Sequence, residues 1–350
     1  MSEKKVRVVV VDDSFLMRKI IADAINSDPA LEVVYKAKNG QEGLQKILEL
    51  KPDIVTLDIN LPIMNGLSVL QEVMKKQPCK VIMLSAYTRE GAADTMKALE
   101  LGAIDFIAKP SGEISLDIYK LKDEITSKIK LAARIKESKF LNTLSEESAG
   151  RHPREKAIAI KKLVIIGAST GGPKAVLEIM QDIPAGLQAA FLIVQHMPAG
   201  FTTTFAERLS WQSKLKAKEA QEGDTVMADK ILVAPAGYHL ILEQNAKELK
   251  TRLNQDSLVN FVRPSIDVTM YSAVEAFHGK DIIAVILTGM GKDGLDGCRK
   301  IKEAGGTILI QDEASSVVWG MPGAVYEAGL SDKVLPVSKI AEAIVKEINK

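Results

Sequence analysis

Cysteine is nearly absent from these 350 residues: only Cys79 and Cys298 occur, far apart and in no Cys-x-x-Cys pattern. That scarcity excludes a disulfide framework and a thiolate zinc site, and it fits a reducing cytoplasm. Net charge is equally scarce. Lys and Arg number 46 against 45 Asp and Glu, leaving +1, so nothing draws the chain in bulk to nucleic acid or to a membrane. No run approaches the roughly 20 apolar residues that a membrane-spanning helix needs. The start, Met1-Ser-Glu-Lys-Lys-Val-Arg, leads into a short strand rather than the apolar core of a signal peptide. Solenoid repeats and low-complexity tracts are also missing. What remains is a chain 46% hydrophobic and 26% charged, ordinary for a globular protein, expected in the cytoplasm and long enough for two domains.

Strand and helix alternate through the first third. Val6-Arg-Val-Val-Val-Val11 is a β-branched run of the kind buried on both faces of a parallel sheet. Further strands are expected at Leu31–Ala37, Ile54–Leu57, Val81–Ser85 and Asp105–Ala108, with helices from Ser14 to Ile25, Gln41 to Leu50, Leu67 to Lys76 and Gly91 to Leu101. This alternation predicts a five-stranded parallel sheet covered on both sides, over residues 1–125. A long amphipathic helix, Asp117–Phe140, carries Ile118, Leu121, Ile125, Ile129 and Ala132 at helical spacing. It runs into a polar, turn-rich stretch at 142–155, and residues 126–160 read as an interdomain linker. The second domain, 161–350, is expected to be doubly wound, mostly parallel α/β. Its strands fall at Leu163–Gly167, Ala190–Gln195, Ile231–Ala234, His239–Glu243, Leu249–Leu253, Ile282–Leu287 and Thr307–Gln311, with an antiparallel ribbon around 231–253.

Chemistry-bearing residues gather at strand ends. Asp12 and Asp13 close the first strand and Asp58 another. In parallel α/β sheets, ligands bind outside the carboxyl ends of the strands. Three carboxylates converging there repel one another, and a hard cation such as Mg²⁺ relieves the repulsion. Ser85 ends a third strand, and Lys109 follows a fourth just before Pro110, where a cis peptide is expected. A carboxylate, a hydroxyl, an amine and Mg²⁺ are what a transferred phosphoryl group requires around it.

In the second domain an apolar strand runs into Gly167-Ala-Ser169-Thr-Gly171 and a helix runs out of it. That is the setting of a nucleophile elbow, a sharp turn that lifts a serine Oγ out of the sheet edge. A glycine-rich turn could instead bind phosphate at a helix N-terminus, but at this turn neither Gly-x-Gly-x-x-Gly nor Gly-x-x-x-x-Gly-Lys spacing is present. The next strand, Phe191-Leu-Ile-Val-Gln-His196, ends in a histidine. Neighbouring strands ending in Ser169 and His196 would let imidazole take the Oγ proton as serine attacks a carbonyl. His152 lies in the linker, His239 at a strand start and His278 before Gly279, so these compete poorly. The orienting carboxylate must come from another strand end, where Asp293 and Asp296 both stand; spacing does not choose between them.

The residues of the first third resemble the response-regulator receiver family over roughly residues 5–125. The resemblance implies a flavodoxin-like fold with Asp58 as phosphoacceptor, and Mg²⁺ held by Asp12, Asp13, Asp58 and the Asn60 carbonyl. It implies Ser85 as switch hydroxyl, Lys109 as the phosphoryl-contacting lysine, Phe106 as an aromatic switch that turns inward, and a histidine kinase as phosphodonor. Gly167-Ala-Ser-Thr-Gly-Gly-Pro, Gln195-His-Met-Pro, Ala234-Pro-Ala-Gly-Tyr-His and Leu287-Thr-Gly-Met-Gly-Lys-Asp-Gly look like the chemotaxis protein-glutamate methylesterase domain. With the receiver and linker, the resemblance to the CheB family spans nearly the whole chain. It implies Ser169 as nucleophile, His196 as base, Asp293 as orienter, and the Thr170 and Met290 N–H groups at an oxyanion hole. It further implies glutamyl methyl esters of chemoreceptor cytoplasmic helices as substrate, glutamine deamidation beside ester hydrolysis, and no cofactor for the ester step. The rival readings are a second domain that only binds receptor or nucleotide, and a transcriptional output, which the large α/β half and near-zero charge disfavour.

Overall fold

The computed structural model describes residues 5–86, 88–109, 117–135, 160–245 and 248–350. They fall into two compact units, described separately below. In the first, strand and helix alternate as β1 (Val6–Val11), α1 (Phe15–Asn26), β2 (Leu31–Ala37), α2 (Gly40–Leu50), β3 (Ile54–Asp58), α3 (Gly66–Lys76), β4 (Lys80–Ser85), α4 (Arg89–Glu100), β5 (Asp105–Ala108) and α5 (Asp117–Arg134). The strands form one parallel sheet in the order β2-β1-β3-β4-β5. Val8–Val11 and Ile54–Leu57 are fully buried because β1 and β3 lie inside the sheet with helices on both faces. The chain moves outward in opposite directions from β1 and β3, so their carboxyl ends open the crevice where such sheets bind ligands.

Helix starts are set by polar caps. Ser14, Asn39, Asn65 and Thr88 each accept a backbone N–H from the first turn of α1, α2, α3 and α4. In α5 the side chains of Leu121, Ile125, Ile129 and Ala132, with Ile135 beyond its end, are buried, and the helix packs against α1. The apolar stripe thus reaches past residue 125 as part of the first unit. The continuation expected to Phe140, the polar stretch at 142–155 and the peptide before Pro110 lie outside the described residues.

The second unit contains β6 (Lys162–Ala168), α6 (Gly172–Asp182), β7 (Ala189–Gln195), α7 (Phe201–Gln212), β8 (Lys216–Glu219), β9 (Lys230–Val233), β10 (His239–Asn245), β11 (Glu248–Asn254), α8 (Ile266–Ala276), β12 (Ile282–Ile286), α9 (Leu295–Glu303), β13 (Thr307–Gln311), α10 (Met321–Glu327), β14 (Lys333–Leu335) and α11 (Val337–Ile348). Seven strands form a sheet in the order β14-β13-β12-β6-β7-β9-β8, every neighbouring pair parallel. The antiparallel ribbon is β10 with β11; Lys230–Val233 belongs to the parallel sheet rather than to the ribbon. Leu163, Ile165, Leu192 and Val194 of the sheet meet Ile266 and Met270 of α8 in the core. After β6 the chain winds to one side through β7, β8 and β9, then crosses back to β12 on the other side. The carboxyl end of β6, with β7 and β12 flanking it, is therefore the switch point of this sheet.

Candidate active site and phosphoryl site

Ser169 is the first residue after β6, and His196 the first after β7. The parallel register pairs Ala168 with Gln195, so serine and histidine leave the sheet side by side. Gln195 ties the two turns together, its Nε2 donating to Ser169 O at 2.9 Å and His196 O at 3.0 Å. On the other flank the Ser169 N–H donates to Thr288 O at 3.0 Å, just past β12. The Thr288 hydroxyl donates to Thr170 O at 2.9 Å. Two glycines permit this crowding. Gly171 has φ +77°, and a Cβ there would lie 2.6 Å from Val317 Cγ2. At Gly289 a Cβ would lie 2.7 Å from Ser169 Cβ and 2.4 Å from Met321 Sδ. Any side chain at 289 would push the loop carrying Met290 off the serine.

His196 Nε2 lies 2.8 Å from Asp293 Oδ2. A carboxylate only accepts, so this bond puts the hydrogen on Nε2 and leaves Nδ1 as the basic nitrogen. Among the described residues neither Nδ1 nor Ser169 Oγ has a hydrogen-bond partner, so the structure brings serine and histidine together without closing a bond between them. Asp296, the other carboxylate that spacing allowed, is exposed on α9, 3.9 Å from Arg299. The N–H groups of Thr170 and Met290 donate to no protein acceptor among the described residues. Thr170 lies at the N-terminus of α6, whose cap Gly171 offers no side-chain acceptor. The positive end of that helix therefore faces the serine.

Asp293 is held by five donors: His196, Ser265 Oγ at 2.7 Å, Asn260 Nδ2 at 3.1 Å, and the N–H groups of Ile266 at 2.7 Å and Asp267 at 3.3 Å. The last two open α8. Ser265 stands in the N-cap position yet does not cap; its hydroxyl donates to Asp293, whose carboxylate closes the first turn instead. Asp267, in that first turn, accepts the Gly297 N–H of α9 at 2.7 Å. The aspartate before α9 thus caps α8, and an aspartate of α8 caps α9. Asn260 Nδ2 bridges the pair, reaching Asp267 Oδ2 at 2.7 Å. Burial alone would raise the Asp293 pKa, but the His196 hydrogen bond and charge, with Ile266 N–H and Ser265, hold it at about 2. Asp267 goes the other way. Burial, with the Asp293 charge beside it, pushes it up to about 7 against the Gly297 N–H and Asn260.

At the switch point of the first sheet, ligand oxygens of Asp12, Asp13 and Asp58 all lie within 4.8 Å of one another. Asp12 and Asp58 are buried and Asp13 is exposed. Lys109 Nζ bridges the buried two, 2.7 Å from Asp12 Oδ2 and 2.6 Å from Asp58 Oδ2. Burial raises the Asp58 pKa, and the Asp12 charge adds to this, while Lys109 opposes it. Burial works against the lysine, but the charges of Asp12 and Asp58 outweigh it and keep Lys109 protonated. An all-oxygen cluster with one exposed member suits Mg²⁺, which keeps several waters. Asn60 is exposed, and its N–H reaches Asp58 Oδ1 at 3.3 Å. The Ser85 hydroxyl donates to Gly91 O at 2.9 Å. Phe106 is already buried, with the Lys128 ammonium 5.3 Å from its ring centroid.

A family model for CheB methylesterase matches residues 164–344, and one for the response regulator receiver domain matches residues 8–118. The chain belongs to the CheB methylesterase family. The protein-glutamate methylesterase/protein-glutamine glutaminase of Symbiobacterium thermophilum is 43% identical over 360 residues, covering 99% of this chain and 98% of the relative. The protein of the same description from Pyrococcus horikoshii is 45% identical over 349 residues, covering 99% of this chain and 94% of the relative. The crystal structure of the Thermotoga maritima CheB methylesterase catalytic domain aligns at a TM-score of 0.52 and 42% identity, over 54% of this chain and 97% of that one.

In this CheB-family chain, sequence reasoning missed Asn260, Ser265 and Asp267. Pro264-Ser265 before an apolar run reads as an ordinary helix start, which hides that the hydroxyl serves Asp293. It also missed that Gly289-Met-Gly291-Lys-Asp-Gly294, between β12 and α9, has dinucleotide-fingerprint spacing. Asp267 occupies the Gly297 N–H at the helix start where a pyrophosphate would sit, so the match has no anion site behind it. Neither cysteine offers an alternative nucleophile: burial pushes the Cys79 thiol up to about 12 and the Cys298 thiol higher still.

Proposed function

We propose that this chain is a phosphorylation-controlled protein-glutamate methylesterase acting on chemoreceptor cytoplasmic helices. The observation that carries the reading is the 2.8 Å His196–Asp293 bond beside an elbow serine, built from three adjacent strand ends. Ser169 Oγ attacks the γ-methyl ester carbonyl of a glutamyl side chain. His196 Nδ1 takes the Oγ proton, and Asp293 stabilises the imidazolium through Nε2. The N–H groups of Thr170 and Met290 receive the oxyanion, a contribution worth roughly 3–4 kcal/mol per donor in another serine hydrolase. Collapse expels methanol, which leaves with the proton from His196. Water then enters, gives a proton to Nδ1 and adds to the acyl carbonyl; as that intermediate collapses, the C–Oγ bond breaks, the proton passes from Nδ1 to Ser169 Oγ, and the glutamate leaves. A glutamine side chain follows the same course with ammonia leaving.

The receiver reading assigns residues 1–125 to phosphoryl control, 126–160 to the linker and 161–350 to catalysis. Asp58 accepts a phosphoryl group from the chemotaxis histidine kinase. Asp12, Asp13, Asp58 and the Asn60 carbonyl would hold Mg²⁺, which supplies positive charge at the transferred group. Lys109, now paired with Asp12 and Asp58, adds a second cation there. Ser85 reaches the phosphoryl group by giving up Gly91 O, which Thr95 Oγ1 still serves. Phosphorylation then relieves inhibition of the esterase. The test is the initial rate of methanol release from methylated receptor membranes, with and without acetyl phosphate and Mg²⁺. Ser169→Ala should abolish release, and Asp58→Asn should abolish both phosphoryl labelling and the stimulation. Release that survives in Ser169→Ala would sink the esterase mechanism; labelling that survives in Asp58→Asn would sink the phosphoacceptor.

A further inference from the structure

Val259 and Val262 face each other across a tight turn, each N–H donating to the other's carbonyl, at 3.3 and 3.0 Å. Asn260 and Phe261 are its central residues, with φ of +52° and +64°. Two left-handed central residues are the signature of a turn that takes Asn and then Gly. Position 260 has the asparagine. Position 261 has a residue whose Cβ clashes in that conformation. Among the described residues its ring gains nothing in return, because Phe261 is 95% exposed. Glycine there would relax the backbone and lose no buried surface.

The turn is also fixed in place. Asn260 Nδ2 holds Asp267 at 2.7 Å and Asp293 at 3.1 Å, so the aromatic residue is chained directly to one that touches the proposed triad. Leu258, just before the turn, is 56% exposed, and Met290, on the loop that carries Asp293, is 49% exposed. Both add exposed apolar surface on segments joined to Asp293, Leu258 through the neighbouring Asn260 and Met290 through its own loop. Strain at a rigid, exposed position beside a reaction centre points to a contact outside the chain.

We propose that Phe261 is a docking residue for the protein substrate, packing on apolar side chains of the receptor helix one turn from the glutamyl ester. This rests on the methylesterase reading. On a helix, residues three and four positions from the ester share its face, which brings an aliphatic neighbour onto the ring while the ester enters the site. An exposed, pre-positioned aromatic ring supplies contact area at small cost in side-chain entropy, as at interface hot spots.

The test uses the full chain and compares wild type with Phe261→Gly on two substrates. One is methylated receptor membranes; the other is a short blocked glutamyl γ-methyl ester with no helix to dock. KM for the receptor should rise about 10-fold in the variant, the equivalent of about 1.4 kcal/mol. kcat/KM for the short ester should stay within about twofold, and the urea midpoint should hold or rise. An unchanged receptor KM overturns the proposal. Equal losses on both substrates overturn it too, because Phe261 would then act through Asn260 on the triad. A faster unphosphorylated variant would make the receiver the partner of this ring and likewise overturn it. Wild type that releases no methanol from receptor defeats the methylesterase reading itself, an outcome separate from all of these.

Discussion

Asp58 and Asp293 both lie buried at the switch point of a parallel sheet, and they are balanced by opposite means. Asp58 has two donors, the Lys109 ammonium and one distant N–H. Its pKa is raised, its neighbour Asp12 is another carboxylate, and Asp13 leaves the cluster open to solvent. Asp293 has five donors, only one of them a side chain that can carry charge, and its pKa is held at about 2. The difference matches the roles proposed for the two carboxylates. An oxygen that is to form a bond to phosphorus needs a free lone pair and a movable cation. One that only orients an imidazole is better with every lone pair taken. On those roles, the count of donors is what separates the carboxylate proposed to react from the one proposed to position.

The strongest way to break this contrast is Asp293→Asn. An amide cannot accept from His196, Ser265 and two helix N–H groups at once, and the imidazole loses its charge partner. Methanol release should fall roughly 10⁴-fold, the loss seen for the equivalent change in a serine protease. A loss below tenfold in the folded variant would mean the five donors position something other than the triad. Asn260→Ala tests one donor. A hydrogen bond to a charged group contributes about 1.5–3 kcal/mol, so kcat should fall roughly 10- to 100-fold with KM for a short ester unchanged.

A pH series sharpens the comparison at Asp267. In the unfolded chain its carboxyl titrates near 3.8, and in the folded one at about 7. Between those values the folded state holds the extra proton, so this group's contribution makes stability fall as pH rises from about 4 to about 7 and level off above. Asp267→Asn should remove that slope, so the variant gains on wild type across this window and no further beyond it. The depressed Asp293 acts in the opposite sense, but its contribution is lost only as pH falls from about 4 toward about 2. Trp211 and Trp319 are the chain's two tryptophans, and both belong to the second unit. Their emission in urea therefore reports that unit's midpoint. Parallel curves for variant and wild type would place Asp267 among ordinary ionised carboxylates. The smallest effect belongs to Asp296→Asn, within about twofold in rate, because the exposed Asp296–Arg299 pair contributes little; a large loss there would transfer the orienting role.

Most of the sheet framework was legible, because buried parallel strands read as continuous apolar runs and active residues collect where those runs stop. Ser169 beside His196 follows from two such runs of seven residues in register. The short edge strands β8 and β14 were not legible. Lys216-Ala-Lys-Glu219 and Lys333-Val-Leu335 carry the charge that keeps sheet edges soluble, so they look like loops. The choice between Asp293 and Asp296 was closed to spacing, since both precede or open the same helix. In the structure Asp293 meets His196 and is seated by Asn260 and Ser265, some 30 residues upstream in the chain, and no local pattern joins positions that far apart.

The exchanged caps of α8 and α9 have a consequence for motion. Each helix draws the acceptor for its first turn from the other's end, so neither first turn can fray without releasing a carboxylate that the other needs. The amide hydrogens of Ile266 and Gly297 should therefore exchange with solvent at a common rate, through one shared opening event. The joint seats Asp293 against His196 only while it stays shut, so the proposed triad can last no longer than the joint does.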